Sequence, residues 1–196
     1  ERRRARPLDD AFLYLEKPQI AELSPEEAVK LLPTLRPLLA DLLRAYPIDF
    51  LYGSIAGDTS FAKKYVPVGR HSHAWHVGQE IFDLAASERL RAFGLGYLAH
   101  LAADVVAHNH FVPRQLVVTS SSKALGHSYW EARLDLHLGE FYGRRAYEII
   151  QHDHRENDEH LDRIISPTIF SVPTNRRIFR GIVHIAHTRT WQRAMQ

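Results

Sequence analysis

Apolar positions along this 196-residue chain recur at helical spacing, and no stretch sustains the two-residue alternation of a half-buried strand. A short helical pattern over residues 7–23 is broken by Pro18. Ser24 then reads as an N-cap, with Pro25 at the first helical position and Glu27 as the capping-box partner. The leucine-rich stripe behind it includes Leu31, Leu35, Leu38 and Leu42, with Pro33 and Pro37 expected to kink the helix and Pro47 to end it. The next stretch, IDFLYGSIAGDTSFAKKY, holds Gly53 and Gly57 and is expected to be turn-rich and irregular. Further helices are predicted from Trp75 to about Ala86 and from about Arg89 to Phe111, the second closed by Pro113. A long helix is predicted from Gly126 to about Gln151. The last, amphipathic helix runs from Thr174 to Trp191 with Ile178, Phe179, Ile182, Val183 and Ala186 inward. The expected architecture is all-α, a helical bundle forming a single domain over residues 1–196.

Composition narrows the chemistry. Apolar residues make up 45% and charged residues 24%, with a net charge of +2, so there is no strong nucleic-acid signal. The basic run Arg2, Arg3, Arg4 and Arg6 reads as a solvated terminus, with transient contact to an anionic membrane surface as its second reading. No uninterrupted apolar run reaches the roughly 18 residues of a transmembrane segment, and no signal-peptide pattern opens the chain, which leaves the compartment undetermined. There are no cysteines, so any metal must be held by His, Asp and Glu. Histidine is the unusual count: 13 residues, none before His71. That asymmetry points to a site.

The sharpest pattern is FGLGYLAHLAADVVAHNHFVP, residues 93–113, which sets His100, Asp104 and His108 four apart. At about 100° per residue the three share an arc of roughly 80° on one helix face, while Leu98, Leu101, Ala102 and Val105 read as the buried stripe opposite. A carboxylate between two histidines on an apolar helix needs a strong partner, and a metal ion is one. His110 competes with His108 for the third place. Downstream, HSYWE repeats the idea with His127 and Glu131, and Asp135 lies one turn further to orient a ligand. Asp58 in GSIAGDTSF is a candidate against the ordinary reading of a turn residue. His71 and His73 in GRHSHAW are two apart; one reads as a ligand and the other as a supporting or substrate-facing group. His152, His154 and His160 lie in so polar a segment, QHDHRENDEH, that a solvated loop or exposed helix is expected there.

Taken in order, IAGD around Asp58, SHAW around His73, LGYLAHLAAD around His100 and Asp104, then His108, then HSYWE with His127 and Glu131, this set resembles the zinc-dependent phospholipase C family. That family is related in fold to single-strand-specific fungal nucleases. The resemblance covers about residues 50–140. It implies a helical domain with zinc ions in a cleft: Asp58, His73, His100 and Asp104 on one ion, His108, His127 and Glu131 on another. In the family the counterpart of Asp104 also bridges to a third ion, held by an N-terminal Trp and an early His. This chain opens on Glu1 and has no histidine before His71. Two zinc ions are therefore expected, and a third only where those groups lie outside this chain. The implied activity is hydrolysis of a phosphodiester or phospholipid, with Asp58 orienting or deprotonating the attacking water. The alternative is a non-catalytic helical metal-binding module whose ions serve stability or partner binding.

Overall fold

A computed structural model describes residues 37–59, 70–119, 129–130, 133–134, 137–165 and 170–186. His127, Glu131 and Asp135, and the expected cap at Ser24, lie outside the described residues. Contacts divide the chain into two compact units, Glu1–Pro47 and Ile48–Gln196. Of the first, the described part is a helix over 37–45 (α1), where the Tyr46 N–H donates to the Leu42 carbonyl at 3.0 Å.

In the second unit the described residues form helices and no strand, the all-α architecture expected. The elements are α2 (Pro47–Ala56), a 3₁₀ turn (Gly57–Thr59), α3 (Trp75–Asp83), α4 (Glu88–Val106), a π turn (Ala107–Phe111), α5 (Val112–Thr119), α6 (Glu140–Ile150), α7 (Arg155–Ile164) and α8 (Val172–Ala186). Tyr52, Ala56, Val77, Ile81, Phe93, Tyr97, Leu101, Ile149, Leu161 and Ile164 form the core they share.

Residues 48–56 of the segment expected to be irregular belong instead to α2, and a turn follows only at Gly57–Thr59. Pro47 opens the helix, as proline's fixed φ and missing N–H allow at a first helical position. Its Gly53 does not mark a turn; it makes room. A Cβ there would lie 2.9 Å from the Phe93 carbonyl carbon and 3.0 Å from the Tyr97 nitrogen, and one on Gly96 of α4 would lie 2.8 Å from the Ser54 nitrogen. Glycine on both sides of the crossing lets the two backbones touch, which brings the end of α2 against the middle of α4.

Helix α4 starts on Ser87, whose hydroxyl accepts from the Leu90 N–H at 3.2 Å. Its buried stripe is Leu90, Phe93, Tyr97 and Leu101. On a helical wheel these share the arc of His100, Asp104 and His108. The expected opposite stripe is therefore corrected: Ala102 and Val105 are exposed and Leu98 is only half-buried. Core and candidate ligands occupy successive lengths of one inward face. Nor does Pro113 end the helix, which continues to Thr119. The Val112 N–H reaches back to the Ala107 carbonyl across the π turn, and this wider turn re-pairs the backbone just ahead of the proline that lacks a donor. At 32 residues, Glu88–Thr119 is long and apolar enough, by length and composition alone, to cross a membrane, which qualifies the expectation of no such segment. Core helices pass the same test, and the face bearing Phe93, Tyr97 and Leu101 is packed inside the protein.

Three further expectations change. The long helix predicted to Gln151 is interrupted at Gly139, whose φ of 90° suits glycine, and α6 begins after it. The charged stretch expected as a solvated loop or exposed helix holds α7, and one face of it is buried through Asn157, His160, Leu161 and Ile164. His160 Nε2 donates to the Ile81 carbonyl at 2.7 Å, and His154 Nε2 to that of Ile149 at 2.6 Å while its ring stacks on Tyr52. On α8, Ile178 and Ile182 face outward, while Val172, Asn175 and Phe179 are buried. The stripe is rotated because Arg176 lies inward, paired with Asp162 at 2.8 Å and with Asp158 at 3.3 Å.

Candidate metal centre

Three elements meet at one end of the α2–α4 crossing. The 3₁₀ turn delivers Asp58, the tight turn before α3 delivers His73, and α4 delivers His100 and Asp104 one turn apart. The His73 turn is closed by the Ala74 N–H donating to the His71 carbonyl at 2.9 Å. Arg70, just before it, is anchored to Glu80 at 2.6 Å and to the Ile164 carbonyl at 2.6 Å. The backbone entering the site is thus fixed from α3 and α7.

His73 Nε2 is the hub. It lies 3.2 Å from His100 Nε2, 3.4 Å from an Asp58 oxygen and 3.5 Å from Asp104 Oδ2. One ligand atom each from Asp58, His73 and His100 falls within a mutual 4.8 Å. Around tetrahedral zinc, with bonds of about 2.0–2.1 Å, ligand atoms sit roughly 3.3 Å apart. The spacing around His73 fits such an ion.

Proton placement agrees with this. The Ser54 carbonyl can only accept, so His100 Nδ1, 3.2 Å away, carries the proton and donates to it. A neutral His100 then turns a bare Nε2 toward His73. Burial is the main influence on His100 and pulls its pKa below the ordinary histidine value; the charge of Asp58 opposes this, His73 adds to it, and Asp104 opposes it. Neutral imidazole is the form that binds metal.

The other side of Asp104 meets His108, whose Nε2 is 3.0 Å from Oδ1. One carboxylate thus has one oxygen toward His73 and the other toward His108. His110 is exposed in the π turn. Of the pair left open earlier, His73 reaches the cluster, whereas His71 Nδ1 accepts from the His73 backbone N–H at 3.1 Å. His152 and His137 are exposed, and His154 and His160 are spent on backbone carbonyls. The side chain of Asp58 is 60% exposed against 15% for His73, so the cluster opens to solvent on the Asp58 side.

Sequence reasoning passed over the groups that shape the site without ligand chemistry of their own. A Cβ on Gly57 would lie 2.6 Å from His100 Nε2 and 3.0 Å from its Cγ, so the ring packs flat on this glycine. Ser54 and Ser72 touch the back nitrogens of His100 and His73. All three stand within the quoted motifs, Gly57 in IAGD, Ser72 in SHAW and Ser54 in GSIAGDTSF, but as residue types without ligand chemistry.

A sequence model of the zinc-dependent phospholipase C family matches residues 26–172, three-quarters of the chain and all of these side chains. The chain belongs to this family. This phospholipase C family member is therefore in a group of zinc-dependent hydrolases, which agrees with the all-α fold and the carboxylate–imidazole cluster. No curated protein and no solved structure matches it.

Proposed function

We propose that this protein is a zinc-dependent phosphoric-ester hydrolase, a phospholipase C-like phosphodiesterase acting on a phospholipid or related phosphodiester. The carrying observation is the meeting of one ligand atom each from Asp58, His73 and His100 within a mutual 4.8 Å, with Asp104 Oδ2 3.5 Å from His73 Nε2. These four side chains would hold one ion. His108, 3.0 Å from the other oxygen of Asp104, would begin a second site, completed by His127 and Glu131 as the family resemblance implies. When bound, zinc supplies Lewis-acid stabilisation of phosphoryl charge and a lowered pKa for water.

The chain's own residues do the rest. His100 is kept neutral by burial and aimed by the Ser54 carbonyl. Asp58, the most exposed member, is the group placed to accept a proton from an attacking water entering from solvent. Asp104 holds His73 and His108 in fixed relation, which maintains the spacing of the two halves.

The test is zinc content by plasma mass spectrometry alongside hydrolysis of phosphatidylcholine vesicles and a chromogenic phosphodiester. Two zinc per chain, reduced in His100→Ala, with turnover lost in Asp58→Asn, is the expected result. Zinc bound at full stoichiometry with neither ester cleaved would favour the non-catalytic metal module. No zinc after reconstitution would overturn both readings.

A further inference from the structure

We propose that Ser72 and Tyr97 form a positioning brace that aims His73 at the metal; the proposal rests on the zinc-site reading above. Tyr97 lies on α4 three residues before His100 and is 1% exposed. Its hydroxyl donates to the Ser72 carbonyl at 2.8 Å, across 25 residues of sequence. Ser72 is itself 3% exposed, and its Oγ lies 3.2 Å from His73 Nδ1. Helix α4 therefore holds two ligands, His100 and Asp104, and through Tyr97 also sets the turn that carries a third, His73.

The chemistry follows from imidazole. A histidine that gives Nε2 to a metal must carry its proton on Nδ1, and that N–H needs an acceptor fixed in place. The Ser72 hydroxyl is such an acceptor, as the Ser54 carbonyl is for His100. A hydroxyl on a mobile turn would aim nothing. Ser72 can aim because its backbone is tied to Tyr97, a donor buried in the core beside Phe93 and Leu101. Ser72 meets His73 at Nδ1, on the far side of the ring from the Nε2 that faces His100, and Tyr97 meets the Ser72 carbonyl, so both act through His73.

The experiment measures zinc affinity of the full-length chain by competition with a chromophoric chelator. It also records the visible d–d spectrum after cobalt substitution. Variants are Ser72→Ala, Ser72→Thr, Tyr97→Phe, His73→Ala and the double variant Ser72→Ala/His73→Ala. Ser72→Ala and Tyr97→Phe are expected to weaken zinc binding roughly 10- to 100-fold, the range for supporting partners of ligand histidines, and to alter the cobalt spectrum. Ser72→Thr, which keeps the hydroxyl, should restore affinity to within about threefold, and the double variant should bind no more weakly than His73→Ala alone. Circular dichroism confirms that each variant is folded; Tyr97→Phe keeps the buried ring and guards against loss of the fold in Ser72→Ala. Unchanged affinity in both Ser72→Ala and Tyr97→Phe, with His73→Ala weakened, would overturn the brace and leave the metal site standing. Unchanged affinity in His73→Ala itself would overturn the zinc-site reading on which the brace rests.

Discussion

Gly57→Ala is the smallest change expected to disable the metal centre. The added methyl carbon would sit 2.6 Å from His100 Nε2 and 3.0 Å from Cγ, where ordinary carbon contacts are near 3.5–4.0 Å. Relief therefore demands a movement on the order of 1 Å. The His100 ring cannot supply it without cost, because its Nδ1–H is bonded to the Ser54 carbonyl. Swinging the ring off its rotamer costs about 0.5–1.5 kcal/mol and losing that bond about as much again. If the 3₁₀ turn moves instead, it carries Asp58 with it. Either route separates two atoms that must converge on one ion. The expected outcome is metal-free stability lower by about 1–3 kcal/mol and zinc affinity lower by one to two orders of magnitude. Urea denaturation and chelator competition measure the two. Gly143→Ala and Gly181→Ala are the controls: both positions are helical with nothing among the described residues within 4 Å of a Cβ, so each should gain up to about 1 kcal/mol of helix propensity without touching zinc. Wild-type zinc affinity in Gly57→Ala would refute the packing argument.

Removing zinc with a chelator should lower the melting temperature. Free zinc at a hundred times its dissociation constant should raise unfolding free energy by about 2.7 kcal/mol, and calorimetry with and without metal checks this. Asp158→Ala removes the acceptor of Tyr52 at 2.5 Å and the partner of Arg176 and Arg180; it should cost about 3–5 kcal/mol in urea titrations while the folded protein still binds zinc. Burial holds the His154 pKa below the ordinary value, so at acid pH the unfolded chain binds the proton more readily than the folded one. The stability this contributes is complete above about pH 6.5 and is lost as pH falls, by up to about 1.4 kcal/mol per unit. Thermal melts at pH 7.5 and 5.5 should show a smaller decline in His154→Gln than in wild type; equal declines would count against it.

The helical class and the spacing of the candidate ligands were legible because both depend on local periodicity. Residues four apart share a helix face whatever packs against it, so His100, Asp104 and His108 announced themselves. Which face was buried did not follow, because the core stripe of Phe93, Tyr97 and Leu101 lies on the ligands' own face. The α7 pattern was present at positions 157, 160, 161 and 164, but Asn157 and His160 held inner places that composition assigned to solvent. Their burial is stabilised by partners remote in sequence: Asp49, which accepts from Asn157 at 2.6 Å, and the Ile81 carbonyl. Gly53 looked like a turn residue because glycine serves both to bend a chain and to let another approach, and only the neighbour tells which; Gly57 does both, opening the 3₁₀ turn and admitting the His100 ring. The sequence by itself determined the all-α class and the donor atoms available for a metal. Tertiary structure alone decided that α2 and α4 touch through glycine, bringing the Ser54 carbonyl to His100, and that Tyr97 holds the turn of His73, since both contacts join groups with no periodic relation along the chain.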